Sequence, residues 1–233
     1  MGHDAPVVAI DGPSGSGKGT IAQGLALKLG WHRLDSGALY RSVALAAELR
    51  GIPLTEPDAL ADMTGKLELQ FLADEGGETV LLDGKDITAE IRREETGRQA
   101  SQVAALPAVR KALLERQRAF AVTPGLVADG RDMGTVVFPH AALKLFLTAS
   151  PEARALRRHK QLKEKGISVS LRDLSRGISE RDERDVSRHV APLRPADDAK
   201  VLDSTDLSPA EVIQQVLDWL QAEGISVSPT VKF

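Results

Sequence analysis

The sequence predicts an α/β fold in which a doubly wound parallel sheet carries helices on both faces. Three observations lead to this prediction. Short apolar runs that suit buried strands alternate with longer amphipathic stretches that suit helices. The first apolar run leads into a glycine-rich loop and then a helical stretch. One segment, at about residues 63–100, has the alternating pattern of an antiparallel hairpin and is expected to be an insertion in the core.

The core elements follow in chain order. Residues 7–10 form an apolar run that ends at Asp11 and predicts a buried strand. Ile21, Leu25 and Leu29 recur every four residues ahead of Gly30, which predicts an amphipathic helix ended by a glycine. Later strands are expected at 125–129, 143–147 and 200–203, and helices at 109–122 and 151–165.

The insertion has a period of two residues. Leu67, Leu69 and Phe71 alternate with polar residues, and turn-forming residues at 74–77 separate them from a second apolar run at 78–82. This pattern predicts a half-exposed antiparallel hairpin.

Composition narrows the class of protein. The chain has 233 residues, 42% hydrophobic and 27% charged, as in ordinary globular domains. No apolar run is long enough to span a bilayer, and we expect no secretory signal peptide because the first strand begins at Val7. The sequence has no cysteine, and its five histidines are widely spaced, so we expect neither disulfides nor structural zinc. A cytoplasmic enzyme is the expected class.

Charge is unevenly distributed along the chain. The net charge of -3 argues against a general nucleic-acid binder. Residues 154–194, however, contain 12 Lys and Arg against 6 Asp and Glu. This basic segment favours a small polyanionic ligand held at one place. The alternative is a solvated helix pair with many ion pairs.

The stretch GPSGSGKGT nearly matches the phosphate-loop pattern G-x-x-x-x-G-K-[ST]. Its glycines allow backbone N–H groups to surround a phosphate, the following helix adds its positive end, and Lys18 can reach the phosphate oxygens. A glycine-rich turn that only connects strand and helix is the alternative. The residues predicted to bind the ATP phosphates are Gly12, Pro13, Ser14, Gly15, Ser16, Gly17, Lys18, Gly19 and Thr20.

Gly19 departs from that pattern. In many phosphate-loop enzymes the hydroxyl group after the lysine is a Mg²⁺ ligand, but here the hydroxyl comes one residue later, at Thr20. We therefore predict no metal-binding side chain, with the Mg²⁺ that accompanies ATP held mainly by phosphates and water. The variant G-x-x-x-x-G-K-G-T resembles the loop of nucleoside monophosphate kinases, which transfer a phosphoryl group from ATP to a nucleotide.

Four further motifs sharpen the resemblance: DSGALYR at 35–41, ADGRDMGT at 128–135, ERDERDVSR at 180–188 and APLR at 191–194. Together with IDGPSGSGKGT, they closely resemble the bacterial cytidylate kinase family over about residues 7–204. The resemblance implies ATP-dependent phosphorylation of CMP and dCMP by direct in-line transfer. It also implies a monomer that binds ATP, CMP and dCMP, with no nucleic-acid or membrane partner.

The resemblance implies a domain division as well. A phosphate-loop core is expected at 1–38, 101–156 and 171–233, and a nucleoside-monophosphate-binding region at 39–100 that includes the hairpin. A short lid is expected at 157–170, with Arg157 or Arg158 near the donor nucleotide.

The resemblance places the cytosine base against Ser36 and Asp132, with Arg110 nearby and Ser101 as a weaker candidate. A carboxylate can accept from the exocyclic amino group of cytosine, and uracil offers no such donor. The alternatives from the residues themselves are a helix cap for Ser36 and an ion pair with Arg131 for Asp132.

Arginines are expected around the acceptor phosphate, because guanidinium groups stay charged and bind two phosphate oxygens at once. The resemblance assigns Arg41 and Arg131 to that phosphate, Asp185 to the acceptor ribose, and Arg181 and Arg188 to phosphates. Residues 181, 185 and 188 are spaced to share one helix face, where an ordinary ion-pair ladder is the alternative. Tyr40 would pack on the nucleotide or belong to the core.

The expected catalytic residues are Lys18, Arg131, Arg181 and Arg188. No catalytic base is needed, since the acceptor phosphate is already an oxyanion. Competing hypotheses are a kinase for UMP, AMP or a non-nucleotide alcohol, a phosphate-loop ATPase switch that binds a partner protein, and a nucleotide-binding module without activity.

Overall fold

A computed structural model describes residues 5–74, 77–164, 166 and 169–225. The chain forms two compact units, one from residues 1–35 with 118–233 and the other from residues 36–117. The strands are β1 Val7–Asp11, β2 His32–Asp35, β3 Leu69–Asp74, β4 Gly77–Leu82, β5 Lys85–Asp86, β6 Leu126–Gly130, β7 Leu143–Thr148 and β8 Lys200–Asp203. The α-helices are α1 Lys18–Leu29, α2 Ser36–Leu49, α3 Pro57–Gly65, α4 Glu94–Val103, α5 Pro107–Arg118, α6 Pro151–Glu164, α7 Leu171–Ser187 and α8 Pro209–Ala222. Short 3₁₀ and π turns lie at Glu90–Arg92 and Met133–Val137.

The first unit is built on a parallel sheet with strand order β2-β6-β1-β7-β8. Every neighbouring pair in this sheet is parallel, so all carboxyl ends lie at the same edge. Asp35 is level with Asp129, and Asp11 is level with Gly130. The predicted α/β fold with a parallel sheet is thus confirmed, and the carboxyl edge of its strands is where such folds bind ligands.

The core of this unit consists of the apolar strand residues and the helices that cover them. Ile10 and Val127 are fully buried in the sheet. Leu25 of α1 and the apolar side of α8, including Val216 and Leu220, belong to the same cluster. Burial of each such side chain contributes about 1.5–3 kcal/mol. The central strands are therefore held firmly beneath the loops at their carboxyl ends.

The second unit packs its helices with a small antiparallel sheet of order β3-β4-β5. Leu69 pairs with Leu82 and Phe71 with Val80, which confirms the predicted hairpin. Residues 75 and 76, inside its predicted turn, lie outside the described residues. Val43 and Leu60 are among the fully buried residues of this unit's own core. The domain boundaries expected from the sequence stay a prediction. They include the nucleoside-monophosphate-binding region expected at 39–100.

Two helices, α5 and α7, end earlier than the sequence pattern predicts. The helix expected at 109–122 runs from Pro107 to Arg118, and the residues after it bond within a turn that leads to β6. The helix expected at 151–165 ends its described part at Glu164, and residue 165 lies outside the description. Helix α7 ends at Ser187, so Arg188 is its extended C-cap residue and not a member of the helix face.

Part of the expected lid, 157–170, also falls outside the described residues, at positions 165, 167 and 168. Residues 157–164 continue α6 as regular helix. Among the residues that the structure describes, no helix is long and apolar enough to cross a membrane.

Gly125 offers a test of how β2 is held beside β6. The amide of His32 donates to the Gly125 carbonyl, and a Cβ atom at Gly125 would lie 2.4 Å from the Trp31 ring. The indole is rigid, so Gly125→Ala should lower the free energy of unfolding by about 1–3 kcal/mol through overpacking. Thermal denaturation followed by circular dichroism measures the change.

Gly177 provides the matched control in the same unit. It lies inside α7 with nothing within 4 Å of an added Cβ atom. Gly177→Ala should leave stability unchanged or raise it, because alanine favours helix. Equal melting temperatures for wild type and Gly125→Ala would contradict the close packing of Trp31.

Candidate active site

The glycine-rich loop joins β1 to α1 at the carboxyl edge of the sheet. A Cβ atom at Gly12 would lie 2.1 Å from the Leu147 carbonyl oxygen, so only glycine fits there. Helix α1 begins at Lys18, and its N-cap residue, Gly17, has a left-handed backbone conformation. Because glycine has no side chain, it caps none of the first backbone N–H groups of α1, which are the groups that bind an anion at a helix N-terminus.

Both positive and negative side chains act on Lys18, the lysine of this loop. Its Nζ atom donates to the Pro13 carbonyl oxygen at 3.1 Å. Burial, followed by the positive charges of Arg131 and Arg181, lowers the pKa of Lys18, whereas Asp129 opposes the shift. A polyphosphate would supply negative charge beside Lys18 and so favour its ammonium form.

Asp129 is the buried carboxylate whose charge acts most strongly on Lys18. Arg33 Nη2 lies 3.3 Å from Asp129 Oδ1 and 3.6 Å from Asp35 Oδ2. Burial and the charge of Asp35 raise the pKa of Asp129, against the effect of Arg33 and Lys18. A Cβ atom at Gly19 would lie 3.9 Å from Asp129 Oδ2, so this carboxylate is near the position where related loops place a hydroxyl group.

Asp11 faces the segment that follows β6. Its Oδ1 and Oδ2 atoms accept the backbone N–H groups of Met133 and Gly134, each at 2.8 Å. Burial raises the pKa of Asp11 to about 6, while these two hydrogen bonds oppose the shift. The carboxylate thereby fixes the start of the Met133–Val137 turn, directly after Asp132, which is buried.

The predicted acceptor-phosphate residues of the first unit come together around Asp185. Arg131 Nε donates to Asp185 Oδ2 at 2.8 Å, so Arg131 forms its ion pair with Asp185. Burial raises the pKa of Asp185, but Arg131, Arg181 and Arg188 outweigh it and the net shift is downward. Arg181 and Arg188 act on this carboxylate through their charges. Arg188, just beyond the end of α7, donates from Nε to the Asp185 main-chain carbonyl oxygen at 3.3 Å.

A cavity of about 360 Å³ adjoins the glycine-rich loop. Its lining includes Gly15, Ser16, Gly17 and Thr20 together with both Arg157 and Arg158. Arg157 Nη1 donates to the Ser16 carbonyl at 3.3 Å and to Ser204 Oγ at 3.1 Å. Both arginines expected near the donor nucleotide therefore lie beside the loop.

A second contact ties the loop to α6 and α7. Arg154 Nη1 donates to the Ser14 carbonyl oxygen at 3.0 Å and pairs with Asp182. The Ser14 amide donates to Asp182 Oδ1 at 3.3 Å. This part of the loop is held by an ion pair that the sequence motifs did not assign.

The remaining predicted residues belong to the second unit. Ser36 begins α2 and its Oγ atom donates to Gln117 Oε1 at 2.7 Å. The Arg110 guanidinium lies 5.7 Å from the centre of the Tyr40 ring and donates to the Ala104 carbonyl oxygen. Ser101 is buried.

Arg41 is also held within this unit. Its Nη1 atom donates to the Ile91 carbonyl oxygen at 2.9 Å, and an added Cβ atom at Gly97 would be 3.4 Å from the guanidinium. The structure therefore brings Tyr40 and Arg110 together. The joint action of the second-unit residues with the loop stays a prediction.

Asp11 and Asp129 lie inside the sequence motifs, but no role was predicted for either of them. A signal was available, since each acid ends an apolar run that predicts a buried strand of a parallel sheet. Carboxylates in such places face the ligand edge. Arg33, Arg154 and Asp182 carried no local signal, because their partners are distant in sequence.

Among the described residues, no group of three or more His, Cys, Asp or Glu side chains could hold a metal ion. The oxygen atoms of Asp129 nevertheless suit the hydration shell of Mg²⁺, which keeps several of its waters. The residues present fit a magnesium ion that phosphates carry into the site, and not a dedicated protein site.

Comparisons with known proteins agree with the motifs. A family model described as cytidylate kinase matches residues 8–222. The cytidylate kinase of Nitrosococcus oceani is 56% identical over 225 residues, or 96% of this chain and 99% of that protein. The cytidylate kinase of Photobacterium profundum is 56% identical over 221 residues, or 95% and 97%. A gluconokinase structure from Sinorhizobium meliloti 1021 has a TM-score of 0.47 and 17% identity, covering 93% of this chain and 92% of that one.

Asp129→Asn should alter the pH dependence of stability. The pKa of Asp129 is higher in the folded chain than in the unfolded one, so its contribution is fully present at low pH and is lost as the pH rises from about 4 towards neutrality. Asparagine resembles the protonated group and does not titrate. The variant should therefore gain stability relative to wild type over this range, as urea unfolding at about pH 5, 6 and 7 would show.

Asp206→Asn is the control, since Asp206 is an exposed aspartate of the same unit. Asp206→Asn removes one exposed carboxylate, so an effect that both variants share is a general effect of the lost charge. A difference from wild type that does not change with pH in Asp129→Asn would contradict the raised pKa of Asp129.

Proposed function

The chain belongs to the cytidylate kinase family, and we propose that it transfers the γ-phosphoryl group of ATP to CMP and dCMP, forming ADP with CDP or dCDP. The observation that carries the proposal is the cluster of Arg131, Arg181 and Arg188 around Asp185, whose first two members also act on Lys18 of the phosphate loop. Such a concentration of cations suits a donor triphosphate and an acceptor phosphate together.

The donor binds at the loop. Backbone N–H groups from Gly15 to Thr20 surround its phosphates, and Lys18 exchanges the Pro13 carbonyl oxygen for phosphate oxygens. The cavity lined by Arg157 and Arg158 is the place for the rest of the donor nucleotide. Closure of the expected lid would exclude water, which protects ATP from hydrolysis.

The acceptor phosphate is bound by Arg131, Arg181 and Arg188, with Arg41 contributed by the second unit. In the structure Arg131 is held by Asp185. Asp185 has its pKa lowered, so it stays a carboxylate and can accept a ribose hydroxyl. The ion pair with Arg131 keeps that guanidinium in an extended, defined position before the substrate arrives.

Cytosine is recognised by Asp132 and Ser36, with Ser101, Arg110 and Tyr40 as the surrounding residues of the second unit. The Asp132 carboxylate accepts from the exocyclic amino group, and Ser36 supplies a hydroxyl group that Gln117 already orients. Uracil would leave a buried acceptor without a donor, so UMP should be a poor substrate.

Transfer needs little covalent chemistry from the protein. An oxygen of the acceptor phosphate attacks the γ-phosphorus in line, the bond to the β-phosphate bridging oxygen breaks, and ADP leaves. Lys18 and the arginines stabilise the charge on the transferred group, so the rate comes from positioning and electrostatics.

Magnesium would accompany ATP and, when bound, would neutralise phosphate charge. Phosphate oxygens and water would mainly hold it, and Asp129 and Thr20 are the residues that would accept hydrogen bonds from its waters. We also propose that the protein is a cytoplasmic monomer with no nucleic-acid or membrane partner.

The deciding experiment measures ADP formation by the purified protein with ATP and Mg²⁺. CMP, dCMP, UMP, AMP, GMP and no acceptor are compared. We expect strong turnover only with CMP and dCMP, because only cytosine offers the donor that Asp132 needs. Equal rates with and without an acceptor would instead identify an ATPase switch.

Two lysine variants of α1 control this assay. Lys18→Ala should lower kcat by on the order of 10²-fold or more, since the phosphates lose their main cation. Lys28 lies exposed at the other end of the same helix, and Lys28→Ala should keep wild-type rates. Full CMP turnover in Lys18→Ala would contradict the donor site.

A further inference from the structure

Asp11 has a role in neither the donor nor the acceptor site as described, yet it is a buried acid at the sheet edge whose two carboxylate oxygens both accept hydrogen bonds. It is 4% exposed, and each carboxylate oxygen accepts one backbone N–H group at 2.8 Å. The two donors, Met133 and Gly134, are consecutive and lie 122 and 123 residues away in sequence. Charge-assisted hydrogen bonds of this kind are about twice as strong as neutral ones.

The segment bonded to Asp11 is an irregular turn. It also has backbone hydrogen bonds of its own, and the carbonyl groups of Val136 and Val137 accept from Arg118. After β6 ends at Gly130, Asp132 takes an irregular backbone conformation, with φ -148° and ψ 24°, and a single π turn follows. π turns are rare and occur mostly at functional sites. On the other side, an added Cβ atom at Gly134 would lie 3.2 Å from the Lys144 side chain, which Asp198 fixes through its two oxygens. The turn is thus clamped between Asp11 and Lys144.

This clamp begins one residue after Asp132. A side chain that must present one oxygen to a base amino group needs a fixed backbone, and a shift of about 1 Å can cost a hundredfold in rate. We propose that Asp11 is a positioning residue for base selectivity, whose carboxylate fixes the turn that orients Asp132 towards cytosine. This inference rests on the proposed function, and it adds a residue that never touches the substrate.

The first test is Asp11→Asn in the full chain. Asparagine has the same shape, but its amide N–H₂ group faces one of the two backbone N–H donors, so one bond is replaced by two opposed donors. The expected result is a fall of about 10- to 100-fold in kcat/KM for CMP with little change for UMP, since UMP gains nothing from a well-placed Asp132. The measured quantity is the ratio of the two kcat/KM values.

Ile10→Val is the matched control. Ile10 precedes Asp11 on β1 and is fully buried in the core. Removal of one methylene group loosens the same strand without touching the carboxylate. This variant should keep the wild-type CMP to UMP ratio. An equal fall of the ratio in both variants would show a general effect of strand stability and overturn the proposal.

The wild-type protein supplies a second test that needs no substitution. Burial raises the pKa of Asp11 to about 6, and the charged groups that act on it are Asp132 and Lys18. Protonation turns one acceptor oxygen into a donor that faces an N–H group. The CMP to UMP ratio should therefore be constant above about pH 7 and fall roughly tenfold towards pH 5. The phosphates of CMP and UMP titrate alike near pH 6, so their effect cancels in the ratio.

The outcomes separate cleanly. A ratio that falls on acidification in wild type but is low and constant in Asp11→Asn supports the positioning role. A ratio that does not vary with pH in wild type, or an unchanged ratio in Asp11→Asn, overturns this role while CMP turnover still upholds the proposed function. Absence of CMP turnover in wild type overturns both.

Discussion

The carboxyl edge of the parallel sheet holds aspartates in the region where phosphates are proposed to bind, so the structure around each aspartate must compensate its negative charge. Asp11 and Asp35 end strands β1 and β2, and Asp129 is the last residue but one of β6. Asp11 and Asp129 are buried. Burial of a carboxylate is costly unless hydrogen bonds or cations compensate it. Asp11 is compensated by two backbone N–H groups and Asp129 by Arg33 and Lys18. Each compensation fixes a neighbouring group, so the acids determine where the turn after β6 and the loop lysine lie.

A second feature of the site is that its arginines form ion pairs with its own carboxylates. Arg131 is paired with Asp185, and Arg154 with Asp182. Binding of phosphates is then an exchange of partners and not the filling of an uncompensated positive cavity. Arginines held this way keep a defined geometry without repelling one another. Phosphate affinity is reduced because these ion pairs must break before the arginines bind phosphate. The guanidinium groups, however, are already oriented before the phosphate binds.

Sequence patterns predicted the parallel sheet, the hairpin and the loop, because each depends on local periodicity or on consecutive glycines. The motifs also predicted the family. In the structure the charges of Arg131, Arg181 and Arg188 act on Asp185, and the substrate contacts that the resemblance implies for these residues stay predictions. What the patterns missed are contacts between distant segments. The bonds from Asp11 to the turn at 133–134, and the hold of Arg154 on Ser14, depend on strand register and helix packing. The early end of α7 at Ser187 was likewise hidden, since 181, 185 and 188 have helical spacing.

We propose that a buried carboxylate, held in place by the turn after β6, distinguishes cytosine from uracil. The decisive measurement is the steady-state kinetics of Asp132→Ala with CMP at saturating ATP. We expect a large loss of kcat/KM for CMP, with the KM for ATP close to that of wild type, since the donor is proposed to bind at the loop. An Asp132→Ala variant with unaltered CMP kinetics would contradict the assignment of the base-reading residue.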